Sequence, residues 1–116
     1  MESRHYETVF ILSPVLSKEQ VRDAVEKYKT FLVDRNAVIE HEQSMGLRPL
    51  AYPIKHKKQG EYYVIEFVSD PSLVKDLEVA YSRDDRVLRF LTVSLSKDAL
   101  EYKRAKKSEE IDEKQS

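Results

Sequence analysis

Gly60-Glu61-Tyr62-Tyr63-Val64-Ile65-Glu66-Phe67-Val68-Ser69-Asp70-Pro71 joins a dense apolar run to a helix start within twelve residues. Tyr62 to Ser69 is so rich in aromatic and β-branched side chains that it predicts a strand, and its apolar groups on both faces predict a central one. Asp70-Pro71 then predicts a helix start. The aspartate suits the N-cap, and proline fits the first helical position, where its missing N–H is not needed. Leu73, Leu77, Ala80 and Tyr81 follow at helical spacing as an inward face, and the helix is expected to end near Arg83-Asp84-Asp85. Val87 to Leu95 reads as the strand that comes next.

Working towards the N-terminus, His5 to Leu12 is dense in aromatic and β-branched residues and stops at Ser13-Pro14, which predicts a first strand. Ser17 with Gln20 three positions on forms a capping-box pattern. Val21, Ala24, Val25, Tyr28, Phe31 and Leu32 then recur at helical spacing, so an amphipathic helix is expected over Lys18 to Asp34. Its outer face sets Arg22/Glu26 and Asp23/Lys27 four residues apart, the separation at which opposite charges meet. Asn36 suits the helix stop, and Ala37 to Gln43 predicts a second strand. Gly46 and Arg48-Pro49-Leu50-Ala51-Tyr52-Pro53 interrupt regular structure, so a loop or broken edge strand is expected there. The order strand, helix, strand, strand, helix, strand fits an α+β class: a ferredoxin-like βαββαβ sandwich with a four-stranded antiparallel sheet and two helices on one face. The other sheet face is then left open.

The whole chain has 116 residues, 41% hydrophobic and 35% charged, which suits one folded domain. That domain is expected to span residues 1–96, with 97–116 a charged, disordered tail in which lysine and arginine balance the acids. No apolar run is long enough for a bilayer, and Met1-Glu2-Ser3-Arg4 has no apolar signal core, so a cytoplasmic protein without a membrane partner is expected. Cysteine is absent, which excludes disulfides, a thiol nucleophile and thiolate metal sites. His5, His41 and His56 show no ligand-like spacing.

Twenty basic residues against 21 acidic ones leave a net charge of -1, so no global positive field attracts nucleic acid. Attraction to RNA would have to come from local clusters. One runs from Gln43 to Gly60, where no Asp or Glu occurs and Arg48, Lys55, Lys57 and Lys58 stand with His56. A second joins Arg86 and Arg89 to Arg4 and Tyr6, if the two terminal strands are neighbours. An arginine with apolar and aromatic neighbours can pair with a phosphate while stacking on a base.

Catalytic constellations are not visible. Glu40 with Glu42 and Asp84 with Asp85 suit solvated or capping roles, and Gly46 and Gly60 are too few to build a phosphate-cradling loop. On the first and third strands both faces are largely apolar, so the uncovered sheet face is a candidate partner site.

These residues resemble the bacterial small-subunit ribosomal protein S-six family over about residues 4 to 96. The matching features are Arg4-His5-Tyr6-Glu7, the segment Gly46-Leu47-Arg48-Pro49-Leu50-Ala51-Tyr52-Pro53-Ile54, and Asp85-Arg86-Val87-Leu88-Arg89. Pro49 stands where the family pattern has a second basic residue. The resemblance implies a ferredoxin-like fold and a ribosomal, non-enzymatic role in translation. It implies binding to the central domain of small-subunit ribosomal RNA in company with ribosomal protein S-eighteen, with no cofactor and no small-molecule substrate. Carried over by motif, Arg4, Tyr6, Arg86 and Arg89 are the expected RNA contacts, and Arg48, Leu50, Ala51, Tyr52, Pro53 and Ile54 the expected protein contacts. A ligand-sensing regulatory domain is the second reading, since this fold class hosts many functions.

Overall fold

The computed structural model describes residues 3–96; the expectation of a disordered tail over 97–116 lies outside the described residues. The elements are β1 (Arg4–Leu12), α1 (Lys18–Asp34), β2 (Val38–Ile54), β3 (Lys57–Ser69), α2 (Ser72–Ser82) and β4 (Val87–Ser94). They form one antiparallel sheet in the order β2-β3-β1-β4, the arrangement of a ferredoxin-like sandwich. β3 lies inside the sheet, as its composition predicts.

Local chemistry sets the helix limits. Ser17 Oγ accepts from the Gln20 N–H at 3.1 Å, and Gln20 Oε1 accepts from the Ser17 N–H at 2.8 Å, closing the expected capping box. At the far end Asn36 takes a left-handed φ of 65°, and the N–H groups of Asn36 and Ala37 reach back to the carbonyls of Val33 and Leu32. This αL cap satisfies carbonyls that would otherwise be orphaned. For α2, Pro71 already has helical dihedrals, and Asp70 Oδ1 accepts from the Ser72 N–H at 2.9 Å, so the cap chemistry comes from Asp70 as expected.

Alternation along β1 puts Tyr6, Thr8, Phe10 and Leu12 under the helices, where they meet Ala24, Val25, Tyr28 and Leu32 of α1 and Leu73, Leu77 and Tyr81 of α2. The hydroxyls buried between β1, α2 and β4 are paired. Thr8 Oγ1 lies 3.0 Å from Tyr81 Oη and 2.8 Å from Thr92 Oγ1, which ties α2 and β4 to the central strand. Burial pushes the Tyr81 hydroxyl up, so it stays a neutral partner in this chain.

A buried carboxylate joins α1 to the turn before β4. Asp84 accepts from Tyr28 Oη at 2.6 Å, from Arg86 Nε and Nη2 at 2.9 Å each, and from the Arg86 N–H at 3.0 Å. Lys27 Nζ approaches to 3.5 Å, so this lysine serves Asp84 and not the Asp23 one turn away. Burial opposes ionisation of Asp84, but the Arg86 and Tyr28 hydrogen bonds outweigh it and hold the carboxyl well below its usual range.

Two strand limits move by several residues, into the stretch for which a loop or broken edge strand is expected, and the edge strand is what forms. β2 does not stop at Gln43 but continues to Ile54 as an edge strand, with register shifts at Ile39/His41, Ser44/Gly46 and Pro49/Ile54. An edge strand tolerates proline and bulges because one side needs no partner. Gly46, at φ +74°, supplies the left-handed residue for the second shift. β3 accordingly starts at Lys57, ahead of Tyr62.

Gly60 is needed for close packing. A methyl group there would collide with Ile11 Cγ2, with Leu50 Cδ2 3.6 Å away. Gly60→Ala is expected to lower stability by about 1–3 kcal/mol, the usual cost of overpacking, read from urea unfolding midpoints. Asp84→Asn is expected to cost about 3 kcal/mol at neutral pH, because Arg86 and Tyr28 lose a charged acceptor. The pH dependence carries the sign. The folded-state pKa of Asp84 is depressed, so its contribution is full above the unfolded value of 3.8 and fades as pH falls below it. The variant should lose that part of its acid sensitivity, as measured by melting temperature between neutral pH and pH ~2.

Candidate interface on the open sheet face

Antiparallel register sets four rows across the sheet face away from the helices. They are Val38, Val68 and His5; His41, Glu66, Glu7 and Val93; Gln43, Val64, Val9 and Leu91; and Gly46, Tyr62, Ile11 and Arg89. Among the described residues no helix covers this face, and its outer members are open: Leu91 is 61% exposed and Val38 59%. Val9, Val64, Leu91, Ile11 and Tyr62 thus form an apolar patch on a face that also carries Glu7, Glu66, His41, Gln43 and Arg89. Ile11 departs from this pattern: it is buried at 7%, and its Cγ2 lies close against Gly60, which Leu50 of β2 also approaches.

The overhanging end of β2 reaches further still. The Arg89 Nη1 donates to Tyr52 Oη, and the guanidinium carbon stands 5.5 Å from the Tyr52 ring centroid. Both side chains are exposed. A planar cation held beside an aromatic ring keeps its remaining N–H groups free for phosphate, and the ring offers a stacking surface. The expected RNA residue Arg89 and the expected protein-contact residue Tyr52 thus form one feature. Leu50 lies near Gly60, Ala51 and Pro53 are exposed, and Ile54 closes the hairpin opposite Lys57.

The other sequence-derived site residues do not join that feature. β1 and β4 are neighbours, as expected, yet their register sets Arg89 opposite Ile11 and Tyr6 opposite Ser94. Arg4 is exposed but sits in the row of Ser69, on the helix side of the sheet and at the other end of β1. At about 3.4 Å per residue it lies some 23 Å along the strand from Arg89. The cluster of Arg4, Tyr6 and Arg89 expected from neighbouring strands does not form, because antiparallel pairing fixes the row as well as the partner. Tyr6 is 6% exposed, its ring 5.6 Å from Phe67 in the core. Arg86 is half-buried and engaged by Asp84. Arg48 is exposed and donates through Nε to the Met45 carbonyl.

The carboxylates weighed for chemistry have structural work. Glu42 Oε1 accepts from Lys29 Nζ at 3.1 Å and from Tyr63 Oη at 3.2 Å, holding α1 over β2 and β3. Burial, with the charge of Glu42 beside it, pushes the Tyr63 hydroxyl up to about 12. Sequence spacing hid both this clamp and the Asp84 clamp, because their partners are far apart in the chain; the Asp84-x-Arg86 spacing was the single local signal.

Comparison with known proteins agrees with this architecture. The family model described as Ribosomal protein S6 matches residues 5–94. The small ribosomal subunit protein bS6 of Phocaeicola vulgatus is 50% identical over 97 residues, covering 84% of this chain and 85% of that one. The bS6 of Parabacteroides distasonis is 51% identical over 98 residues, covering 84% and 83%. Among solved structures, 30S ribosomal protein S6 from Thermotoga maritima superposes with a TM-score of 0.79 at 31% identity, over 92% of this chain and 99% of that one. With a family match across the whole sheet and both helices, the chain belongs to the ribosomal protein S6 family, structural proteins of the small ribosomal subunit.

Proposed function

We propose that this small-subunit protein binds the central domain of small-subunit ribosomal RNA jointly with ribosomal protein S-eighteen. The observation that carries the reading is the Arg89–Tyr52 pair standing beside the apolar patch of a sheet face that no helix covers among the described residues. An apolar face calls for a protein, and an exposed arginine beside an aromatic ring calls for RNA. In this reading the Leu50 to Ile54 segment and the rows containing Val9, Val64 and Leu91 take the protein partner. Arg89 takes RNA at the rim, with Arg4 as a separate contact at the opposite end of β1. Arg86 and Tyr6 act from behind, Arg86 by fixing the turn into β4 and Tyr6 by packing under β1.

A net charge of -1 gives such a protein little hold on RNA by itself. A partner that covers the apolar rows would enlarge the contact surface, which a protein with this charge balance needs in order to hold RNA. Arg89→Ala tests the assignment. Ternary affinity should fall by about 10-fold and the slope of log K against log salt by about 1, with the melting temperature unchanged. Equal affinity for variant and native protein at every salt concentration would remove Arg89 from the interface and leave the reading without its main support.

A further inference from the structure

The β2–β3 hairpin runs past the rest of the sheet. β1 makes its last pair with β3 at Leu12↔Glu61, whereas β2 and β3 go on pairing through Arg48↔Gly60, Pro49↔Gln59 and Ile54↔Lys57. The end of this ribbon carries Lys55, His56, Lys57 and Lys58 and no acid. Among the described residues none of these three lysines has a carboxylate oxygen within ion-pair distance, although the chain as a whole is slightly acidic. Lys55 and Lys58 are exposed and Lys57 partly so.

The turn itself is an expensive one. Lys55 and His56 take φ of 49° and 66°, both in the left-handed region, to make the two-residue connection between Ile54 and Lys57. Asn-Gly would close the same hairpin without crowding a Cβ against the backbone. Long side chains held in a disfavoured conformation at an exposed tip point to a role for the side chains. Successive β3 residues face opposite sides of the ribbon, so Lys57 and Lys58 flank it while Lys55 and His56 cap its end. Tyr52 anchors the overhang to Arg89, which fixes where the tip projects.

We propose that the Lys55–Lys58 tip is a phosphate-binding finger that grips the RNA backbone without reading its sequence, apart from the contact at Arg89. It rests on the reading that this chain binds ribosomal RNA. Lysine ammoniums are flexible point charges suited to phosphate oxygens, and backbone contacts of this kind position a protein on RNA without selecting bases.

Two variants of the full chain test it, each bound with ribosomal protein S-eighteen to a transcript of small-subunit ribosomal RNA. In Lys55→Gln/Lys57→Gln/Lys58→Gln the salt slope should fall by about 2 and affinity at ~0.1 M salt by roughly 100-fold, with S-eighteen binding in the absence of RNA unchanged. In Lys55→Asn/His56→Gly the relaxed turn should raise the melting temperature by about 5 °C while the salt slope still falls by about 1. Bound RNA with an unaltered slope in both variants overturns the finger and leaves the joint-binding reading standing. Loss of S-eighteen binding in the triple variant makes the tip a protein surface and likewise overturns it. Absence of RNA binding by the native chain with S-eighteen overturns the joint-binding reading and the finger together.

Discussion

Phe10 sits at the point where every layer of the molecule meets. Its ring centroid lies 5.3 Å from those of Tyr28 and Tyr81 and 5.7 Å from that of Tyr63, so one side chain touches α1, α2 and the neighbouring strand. Tyr28 and Tyr81 are themselves 4.6 Å apart, and Phe90 stacks on Tyr81 at 5.2 Å. Tilted aromatic contacts of this kind fill volume and restrict orientation at once. The hydroxyls leave the cluster in different directions: Tyr28 to Asp84, Tyr63 to Glu42 and Tyr81 to Thr8. The apolar core and the polar clamps are therefore parts of the same side chains, and the helices are fixed on one face of the sheet by both.

That asymmetry sets what the other face can do. With both helices held by Phe10 and its neighbours, no helix among the described residues covers the rows through Val9 and Ile11. Surface charge is arranged to match. Asp84 and Glu42 are engaged by Lys27, Lys29 and Arg86, whereas the segment from Gln43 to Gly60 carries cations and no acid. A protein of nearly zero net charge thus acquires a basic end by placing its acids elsewhere in the sequence, which is a local electrostatic solution.

Much of the fold was legible in the residues because local signals agreed with one another. Ser17 with Gln20, Asn36, and Asp70-Pro71 mark helix ends by backbone chemistry that needs no distant partner, and the run from Tyr62 to Ser69 could hardly be anything but an inner strand. β2 was underestimated for a physical reason. Gly46 and Pro49 are breakers in an isolated segment, but on a sheet edge they become bulges. The interface was less legible. Strand adjacency could be inferred, but the row could not, and a row decides whether Arg4 meets Arg89. Tyr52 reaching Arg89 across a separation of 37 residues depends on the curl of the overhang, for which no local pattern exists. Arg86 is grouped with the candidate RNA contacts in the sequence because Asp84 reads there as a solvated or capping residue and not as its clamp partner.

The irregularity of β2 also bears on how copies of this polypeptide behave towards one another. A long, flat outer strand offers a row of unpaired amides on which a second molecule can zip into a continuous ribbon. Three interruptions and two prolines, Pro49 and Pro53, deny that template any uninterrupted length. Crowded molecules awaiting assembly are thereby kept from polymerising side by side along this border, and the same breaks that obscured the strand in the sequence act as a safeguard against fibre growth.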